Sequence, residues 1–227
     1  YALVEYIYNQ KGLKRVAVLR ANNRYGRVGV MEFRDAAHRE GHPIVLEMRF
    51  ADGDTDFDSQ LKKIENSNPD AVVLWGNALE MGLILNRMRE LGMDYPVFVS
   101  DRGVNPLFVE TAGENANGIV TTCQYNPKAD NPKLKEFQKN YKERFGIEPD
   151  VFAAHAYDGM NMTIDAIEAK GLNKALIRDY LTDLKTYDGI TGEIVFDATW
   201  NDVGRIHMAE IRDGEFYFSP APRLSDK

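Results

Sequence analysis

Short apolar runs alternate with helix-like stretches through the first half of the chain, and this alternation constrains the fold more than any other feature. The apolar runs cover residues 15–19, 44–48, 71–75, 97–100 and 119–122. They lack the polar–apolar alternation of half-exposed strands, so they predict strands that are buried on both faces. The stretches between them carry apolar residues at helical spacing, for example Met81, Ile84, Leu85 and Met88. Strands and helices in this order predict a doubly wound, parallel α/β sheet.

Glycines and capping residues predict where several of these helices begin and end. Gly41, Gly92 and Gly113 follow predicted helices, at the position where a left-handed C-cap favours glycine. Thr55 precedes a run rich in aspartate, which predicts an N-cap followed by an acidic first turn.

The pattern changes near residue 124, which predicts a domain boundary there. Three helical patterns follow with almost no strands between them, over residues 132–145, 151–170 and 175–184. The last part alternates like antiparallel strands over residues 192–197, 206–212 and 215–218. Asp213 and Gly214 have the sequence of a two-residue hairpin turn between the last two of these strands.

Composition excludes several classes of function. The formal net charge is −7, whereas a nucleic-acid surface needs clustered Lys and Arg. The apolar runs are too short to span a membrane. Cys123 is the only cysteine, so neither an internal disulfide nor a cysteine-based zinc site can form. The histidines are not spaced as metal ligands, and Lys63 stands where a calcium loop starting at Asp52 would need glutamate. The sequence therefore predicts no metal and no cofactor.

Polar loops follow three of the predicted strands, and they are the first place to look for a binding site. In an open parallel sheet, ligands bind beyond the carboxyl ends of the strands, where the strand order reverses. The loops at residues 21–26, 76–80 and 100–103 each carry polar side chains or glycine next to a helix start. Any one of them could be an ordinary capped turn. Three together favour a binding site.

Several stretches of the sequence resemble the periplasmic leucine/isoleucine/valine-binding proteins. They are VAVLRANNRYG at 16–26, ADGDTDF at 51–57, NPDAV at 68–72, LWG at 74–76, YKERFG at 141–146, GEIVFD at 192–197 and DGEF at 213–216. The likeness covers nearly the whole chain in the right order. It implies a type I periplasmic binding protein fold, in which two α/β lobes joined by three crossing strands close on a ligand.

The same resemblance implies a function and a location. Proteins of this kind are solute-binding proteins and not enzymes: they capture an amino acid or a related small carboxylate and deliver it to the permease of an ABC importer. The expected location is periplasmic or extracellular, with lipid anchoring as an option for the full-length protein. A nucleic-acid partner is not expected.

The resemblance also predicts how this chain maps onto the two lobes. Residues 1–123 correspond to the second α/β lobe, residues 124–205 to a helix-rich remainder of the first lobe, and residues 206–227 to closing strands that return to the second. Family members have a further N-terminal segment that builds most of the first lobe's sheet. We therefore expect the apolar faces of the helices at 132–145 and 151–170 to be covered by such a segment or by a second copy of the chain, or to be partly disordered.

Six residues in the three loops are predicted to bind the ligand. By resemblance, Tyr25 places an aromatic ring over the ligand and Asn77 faces it from the loop after the third strand; Asn23 and Gly76 lie in the same loops. The alternative for Tyr25 is a simple helix entry, and the alternative for Asn77 is a helix cap. Both remain open from the sequence alone.

The pair Asp101 and Arg102 decides the charge of the predicted site. An inward Asp101 would neutralise the ammonium group of an amino acid, as the family's acidic residue does. An inward Arg102 would instead grip an extra carboxylate in bidentate fashion. The sequence favours Asp101.

Two other classes of function have to be weighed against solute capture. A ligand-sensing domain of the same fold, from a membrane receptor or a transcriptional regulator, would carry the same lobes. An enzyme on an α/β sheet would need a nucleophile and a base that converge on one loop cluster, and the three loops offer no such pair.

Overall fold

The computed structural model describes residues 1–222, which form two compact units. The first unit comprises Tyr1–Cys123 together with the chain from Met208 onwards, and the second comprises Gln124–His207. Residues 223–227, the end of the predicted closing segment 206–227, lie outside the described residues. The assignment of these units to the two lobes of a longer protein stays a prediction.

The first unit contains seven strands and five α-helices among the described residues. The strands are β1 (Val16–Ala21), β2 (Leu46–Phe50), β3 (Ala71–Trp75), β4 (Val97–Val99), β5 (Val120–Cys123), β8 (His207–Arg212) and β9 (Glu215–Pro220). The helices are α1 (Ala2–Val4), which continues as a π-helix over Glu5–Gln10, then α2 (Arg24–Arg39), α3 (Asp58–Asn66), α4 (Ala78–Glu90) and α5 (Pro106–Ala112). Short 3₁₀ turns cover Asp101–Gly103 and Gly113–Ala116.

These strands form a single sheet in the order β2-β1-β3-β4-β5-β8-β9. The first five pair in parallel, with Ala17 opposite Leu46 on one side and opposite Val72 on the other. Both faces of the sheet are covered. Ala17 and Leu19 of β1 pack with helices α3 and α4, whereas Val16 and Val18 pack with α1 and α2. This confirms the predicted doubly wound α/β sheet and explains why its strands are apolar without alternation.

The sequence locates most boundaries to within two residues. Gly41, Gly92 and Gly113 follow helices with φ of 79°, 72° and 57°, in the left-handed region where glycine carries no steric cost. The hairpin turn between β8 and β9 has φ of 50° at Asp213 and 76° at Gly214, as a two-residue turn of type I′ requires.

The predicted N-cap at Thr55 is wrong. Helix α3 starts at Asp58, and Asp56 Oδ1 accepts a hydrogen bond from the Asp58 N–H at 3.1 Å. The helix begins late because Phe57 must first reach the core, where its ring meets that of Phe50 edge to face at 5.8 Å.

The second unit is mainly helical. Its helices are α6 (Pro132–Phe145), α7 (Val151–Lys170) and α8 (Lys174–Asp183), and its strands are β6 (Thr186–Gly189) and β7 (Gly192–Val195). Strand β6 was not expected from the sequence, because it is only four residues long and two of its residues, Thr186 and Asp188, are polar and exposed. It pairs antiparallel with β7 in a separate two-stranded sheet.

The buried carboxylate of Asp158 holds the turn of this hairpin. Asp158 lies on α7, is 2% exposed, and accepts hydrogen bonds from the backbone N–H groups of Ile190 and Thr191 at 2.8 and 3.0 Å. The Thr191 hydroxyl donates a third at 2.7 Å. A side chain at Gly189 would lie 2.4 Å from this carboxylate, so only glycine fits there.

The helices of the second unit differ in how well their apolar faces are covered. Leu134 and Phe137 of α6 are buried in the unit's own core. By contrast, α7 exposes an apolar stripe at i, i+4 spacing, with Phe152 at 59%, Met160 at 61% and Ile164 at 42% exposure.

Candidate functional site

The three polar loops meet at one edge of the main sheet. Tyr25 follows β1, Asn77 follows β3 and Asp101 follows β4, and these strands are parallel neighbours in the order β1-β3-β4. All three residues therefore lie at the carboxyl edge. The strand order reverses between β1 and β3, which is where ligands bind in open α/β sheets.

The first turn of α2 presents Tyr25 at this edge. Asn23 caps the helix by accepting a hydrogen bond from the Gly26 N–H at 2.9 Å. A Cβ at Gly26 would lie 2.1 Å from the carbonyl oxygen of Ala21, so glycine at this position lets the helix start directly against the strand end. This tight entry fixes where the Tyr25 side chain leaves the backbone.

The side chain of Tyr25 reaches across to the loop after β4. Its hydroxyl donates a hydrogen bond to Oδ1 of Asp101. Burial of the ring and the charge of Asp101 both raise the pKa of Tyr25, so the phenol is held protonated as a donor. The aromatic ring and the acidic residue predicted for the site are thus in direct contact.

Arg102 joins the same cluster from above the ring. Its guanidinium carbon lies 3.8 Å from the centre of the Tyr25 ring, a cation–π contact of about 0.5–2 kcal/mol. One of its terminal nitrogens donates a hydrogen bond to Oδ1 of Asn77. The structure therefore brings four of the six predicted residues together through direct side-chain contacts.

Asn77 occupies the N-cap position of α4, but its side chain makes no capping hydrogen bond. Its side-chain oxygen is engaged by Arg102 instead. The helix-cap alternative for Asn77 therefore does not describe its observed contacts.

The other two predicted residues have clear packing roles. Nδ2 of Asn23 donates to Asp52 at 2.8 Å, so both ends of its amide are used to hold the start of α2 and the neighbouring loop. A Cβ at Gly76 would lie 2.6 Å from the ring of Phe50. Direct ligand contact by Asn23 or Gly76 stays a prediction.

Sequence reasoning missed Trp75, the last residue of β3. Its ring centre lies 6.3 Å from that of Tyr25 and 6.4 Å from that of Phe33, so it backs the tyrosine on the sheet side. The indole fits because the facing residue of α2 is Gly29, where a Cβ would lie 2.3 Å from the ring. A tryptophan at the end of a strand beside a candidate loop was the available signal.

The electrostatic character of the site comes from one anion and one cation. Within residues 1–222, Asp101 makes no ion pair with Lys, Arg or His, and its partner is the neutral Tyr25 hydroxyl. The carboxylate thus lies at the hydroxyl end of the Tyr25 ring, while the Arg102 guanidinium lies over its face. Such an arrangement can receive an ammonium group at Asp101 and an anionic oxygen at Arg102.

Two other kinds of functional element are absent from the described residues. In residues 1–222 there is no group of three or more His, Cys, Asp or Glu side chains that could hold a metal ion. That part of the chain also has no helix with the length and apolar character needed to cross a bilayer.

The chain is similar in sequence and fold to named binding proteins. It is 25% identical over 203 residues to the Leu/Ile/Val-binding protein homolog 2 of Brucella abortus (strain 2308), covering 88% of this chain and 54% of the relative. A leucine binding protein from Thermotoga maritima MSB8 superposes with a TM-score of 0.86 and 30% identity, covering 96% of this chain and 63% of that one. A branched-chain amino acid transporter substrate binding protein from Streptococcus pneumoniae, solved with isoleucine, gives 0.80 and 29%, covering 96% and 64%.

The chain thus spans about half the length of the curated relative, at 54%, and under two thirds of the solved structures. A family model described as periplasmic binding protein matches residues 1–214. That match runs through both compact units and includes the four residues in contact at the site, Tyr25, Asn77, Asp101 and Arg102. The chain belongs to the periplasmic binding protein family.

Proposed function

We propose that this chain is part of an extracytoplasmic solute-binding protein that captures an amino acid for an ABC importer. Family membership and the names of the relatives support solute binding, not catalysis. Support for an importer permease as the partner, and for a location outside the cytoplasm, comes from the relative described as a branched-chain amino acid transporter substrate binding protein.

The observation that carries the amino-acid assignment is the state of Asp101. Its carboxylate is partly buried at the switch edge of the sheet, is oriented by the Tyr25 hydroxyl, and has no cationic partner among residues 1–222. A partly desolvated carboxylate is stabilised by a cation that approaches it. The α-ammonium group of an amino acid is such a cation, and the Tyr25 ring next to it provides an apolar and cation–π surface.

Calorimetric titration of the full-length protein with leucine, isoleucine and other amino acids tests the proposal. A ligand at one hundred times its dissociation constant should also raise the free energy of unfolding by about 2.7 kcal/mol, which a thermal-shift screen detects. Replacing Asp101 with asparagine should weaken amino-acid binding by about 2–4 kcal/mol, because the ammonium would lose its charged partner.

Asp94→Asn is the matched control, because Asp94 is exposed on the loop between α4 and β4. It should bind like the wild type. Equal affinities in Asp101→Asn and the wild type would remove Asp101 from the site. Failure of the full-length protein to bind any amino acid would refute the proposed ligand class.

A further inference from the structure

The guanidinium of Arg102 is only partly used by the protein. Its single hydrogen bond goes from Nη1 to Asn77, so Nε and Nη2 have no acceptor within the described part of the chain. Both nitrogens still reach solvent, since neither is among the buried polar atoms that lack a partner. Arg102 therefore has two donor nitrogens at the edge of the proposed site that no group of the described chain accepts from.

This distinguishes Arg102 from the other partly buried arginines of the first unit. Those residues donate to acidic side chains or to backbone carbonyls: Arg20 to Glu47, Arg87 to Asp58 and Glu90, and Arg89 to the carbonyls of Met93 and Tyr95. Partial burial of a guanidinium is costly unless its donors are satisfied. Arg102 is the member of this group, within residues 1–222, that donates to neither an acidic side chain nor a backbone carbonyl.

The orientation of Arg102 is nevertheless fixed. The guanidinium carbon lies 3.8 Å from the centre of the Tyr25 ring, and the bond to Asn77 holds one end of the guanidinium. A guanidinium held in one plane presents its remaining N–H groups as a fork that matches the two oxygens of a carboxylate. Because the side chain is already ordered without a ligand, less conformational entropy is lost when a ligand binds.

We propose that Arg102 is a specificity-determining residue that binds a carboxylate group of the ligand. The inference rests on the proposed function and adds a second charged contact to it. Asp101 receives the ammonium at the hydroxyl end of the Tyr25 ring, and Arg102 receives a carboxylate over its face. The carboxylate comes either from the α-carbon of the amino acid or from an acidic side chain, and the two sources are separated by experiment.

The test compares acids with their amides in the full-length protein. Calorimetric titrations with glutamate and glutamine probe a side-chain carboxylate, and titrations with leucine and leucinamide probe the α-carboxylate. Arg102→Gln should weaken binding of the acid in one of these pairs by about 10- to 100-fold, the effect of losing a charge-assisted hydrogen-bonded pair. Binding of the matching amide should change by about twofold or less.

Arg102→Lys keeps the charge but not the fork, so it should lose part of the acid's affinity and retain the rest. Arg49→Gln is the control, because Arg49 is exposed on β2 and has no acidic partner in the described chain; it should leave all four affinities unchanged. Thermal unfolding of each variant verifies that it is folded.

A loss for glutamate that glutamine does not share assigns a side-chain carboxylate. A loss shared by leucine, glutamate and glutamine but not by leucinamide assigns the α-carboxylate. Equal losses for acid and amide in both pairs would show that Arg102 only positions Tyr25 and Asn77, and unchanged affinities would show that it does not face the ligand. Either result overturns the inference while amino-acid binding stands. A wild-type protein that binds no amino acid, these probes included, refutes both the inference and the proposed function.

Discussion

The hydroxyl of Tyr25 donates its hydrogen bond to Asp101, which stands 76 positions further along the chain. Because β3 lies between β1 and β4 in the sheet, this bond spans the loop that follows β3. Tyr25 and Asp101 consequently cannot reorient independently, and Arg102 above the ring is tied to both.

Replacing Tyr25 with phenylalanine should remove this link and keep the ring. We expect the free energy of unfolding of the first unit to fall by about 0.5–1.5 kcal/mol, the net worth of one hydrogen bond. Urea denaturation followed by circular dichroism measures the change. Tyr95→Phe is the control, since no hydrogen bond of the Tyr95 hydroxyl is found within residues 1–222; a loss as large in Tyr95→Phe would mean that the Asp101 bond contributes nothing.

The same bond predicts how stability depends on alkaline pH. The pKa of Tyr25 in the folded protein is raised above its ordinary value of 10 by burial and by Asp101. Its contribution to stability is therefore fully present below pH 10 and is lost as pH rises above that value, by up to about 1.4 kcal/mol per pH unit. Between pH 9 and pH 11, about one unit either side of the ordinary tyrosine pKa, Tyr25→Phe should lose less stability than the wild type. Parallel pH profiles would contradict this.

A matched pair of helical glycines tests the support of the Tyr25 ring. Gly29→Ala would place a Cβ 2.3 Å from the Trp75 indole, whereas Gly159→Ala on α7 meets nothing within 4 Å. We expect Gly29→Ala to destabilise by about 1–3 kcal/mol through overpacking. Gly159→Ala should stabilise by about 0.4–1 kcal/mol, because alanine restricts the unfolded chain.

Thermal unfolding of the two glycine variants gives the comparison, and near-ultraviolet circular dichroism reports on Trp75. The near-ultraviolet signal should change in Gly29→Ala alone. A Gly29→Ala variant as stable as the wild type would show that the indole has room to move.

The sheet could be predicted from the sequence because its strands are buried on both faces and its helices carry regular apolar stripes. Those patterns depend on local composition, and they locate β3 to the residue. Strand β6 could not be found in this way. Its pairing depends on Asp158, a residue of another element that holds the turn by three hydrogen bonds.

The candidate site, like the fold, could be predicted only in part from the sequence. The position of Tyr25, Asn77 and Asp101 follows from parallel strands having their carboxyl ends on one edge. The sequence favours Asp101 over Arg102, but that choice assumes that only one of the two adjacent residues belongs to the site. In the structure both belong to the cluster, one bonded to the hydroxyl of Tyr25 and the other stacked on its ring.

Asp158 should be the most sensitive polar position of the second unit. Asp158→Ala would leave the backbone N–H groups of Ile190 and Thr191 without their acceptor in a buried place. We expect a loss of about 2–4 kcal/mol in the free energy of unfolding, since each unsatisfied buried donor costs about 1–3 kcal/mol. Glu168→Ala, at an exposed position of the same helix, should change stability by about 0.5 kcal/mol or less. Urea denaturation would contradict the assignment if both variants unfolded at one midpoint.

Helix α7 carries an exposed apolar stripe. Phe152, Met160 and Ile164 lie on one side of the helix and are each more than two fifths exposed, at 59%, 61% and 42%. Contiguous apolar patches of this kind are uncommon on monomers, because burying each Å² of apolar surface contributes about 25 cal/mol.

Residues 1–227 produced alone should therefore associate with a second copy through this stripe, and sedimentation velocity should show an average mass that rises with concentration. Met160→Lys and Ile164→Lys should shift the distribution toward the monomer, because a lysine placed in the contact loses hydration without gaining a partner. Val28→Lys should not, since Val28 is an equally exposed apolar residue, at 45%, on α2 of the other unit. A wild-type chain that stays monomeric at every concentration would show that the stripe does not drive association of the isolated chain.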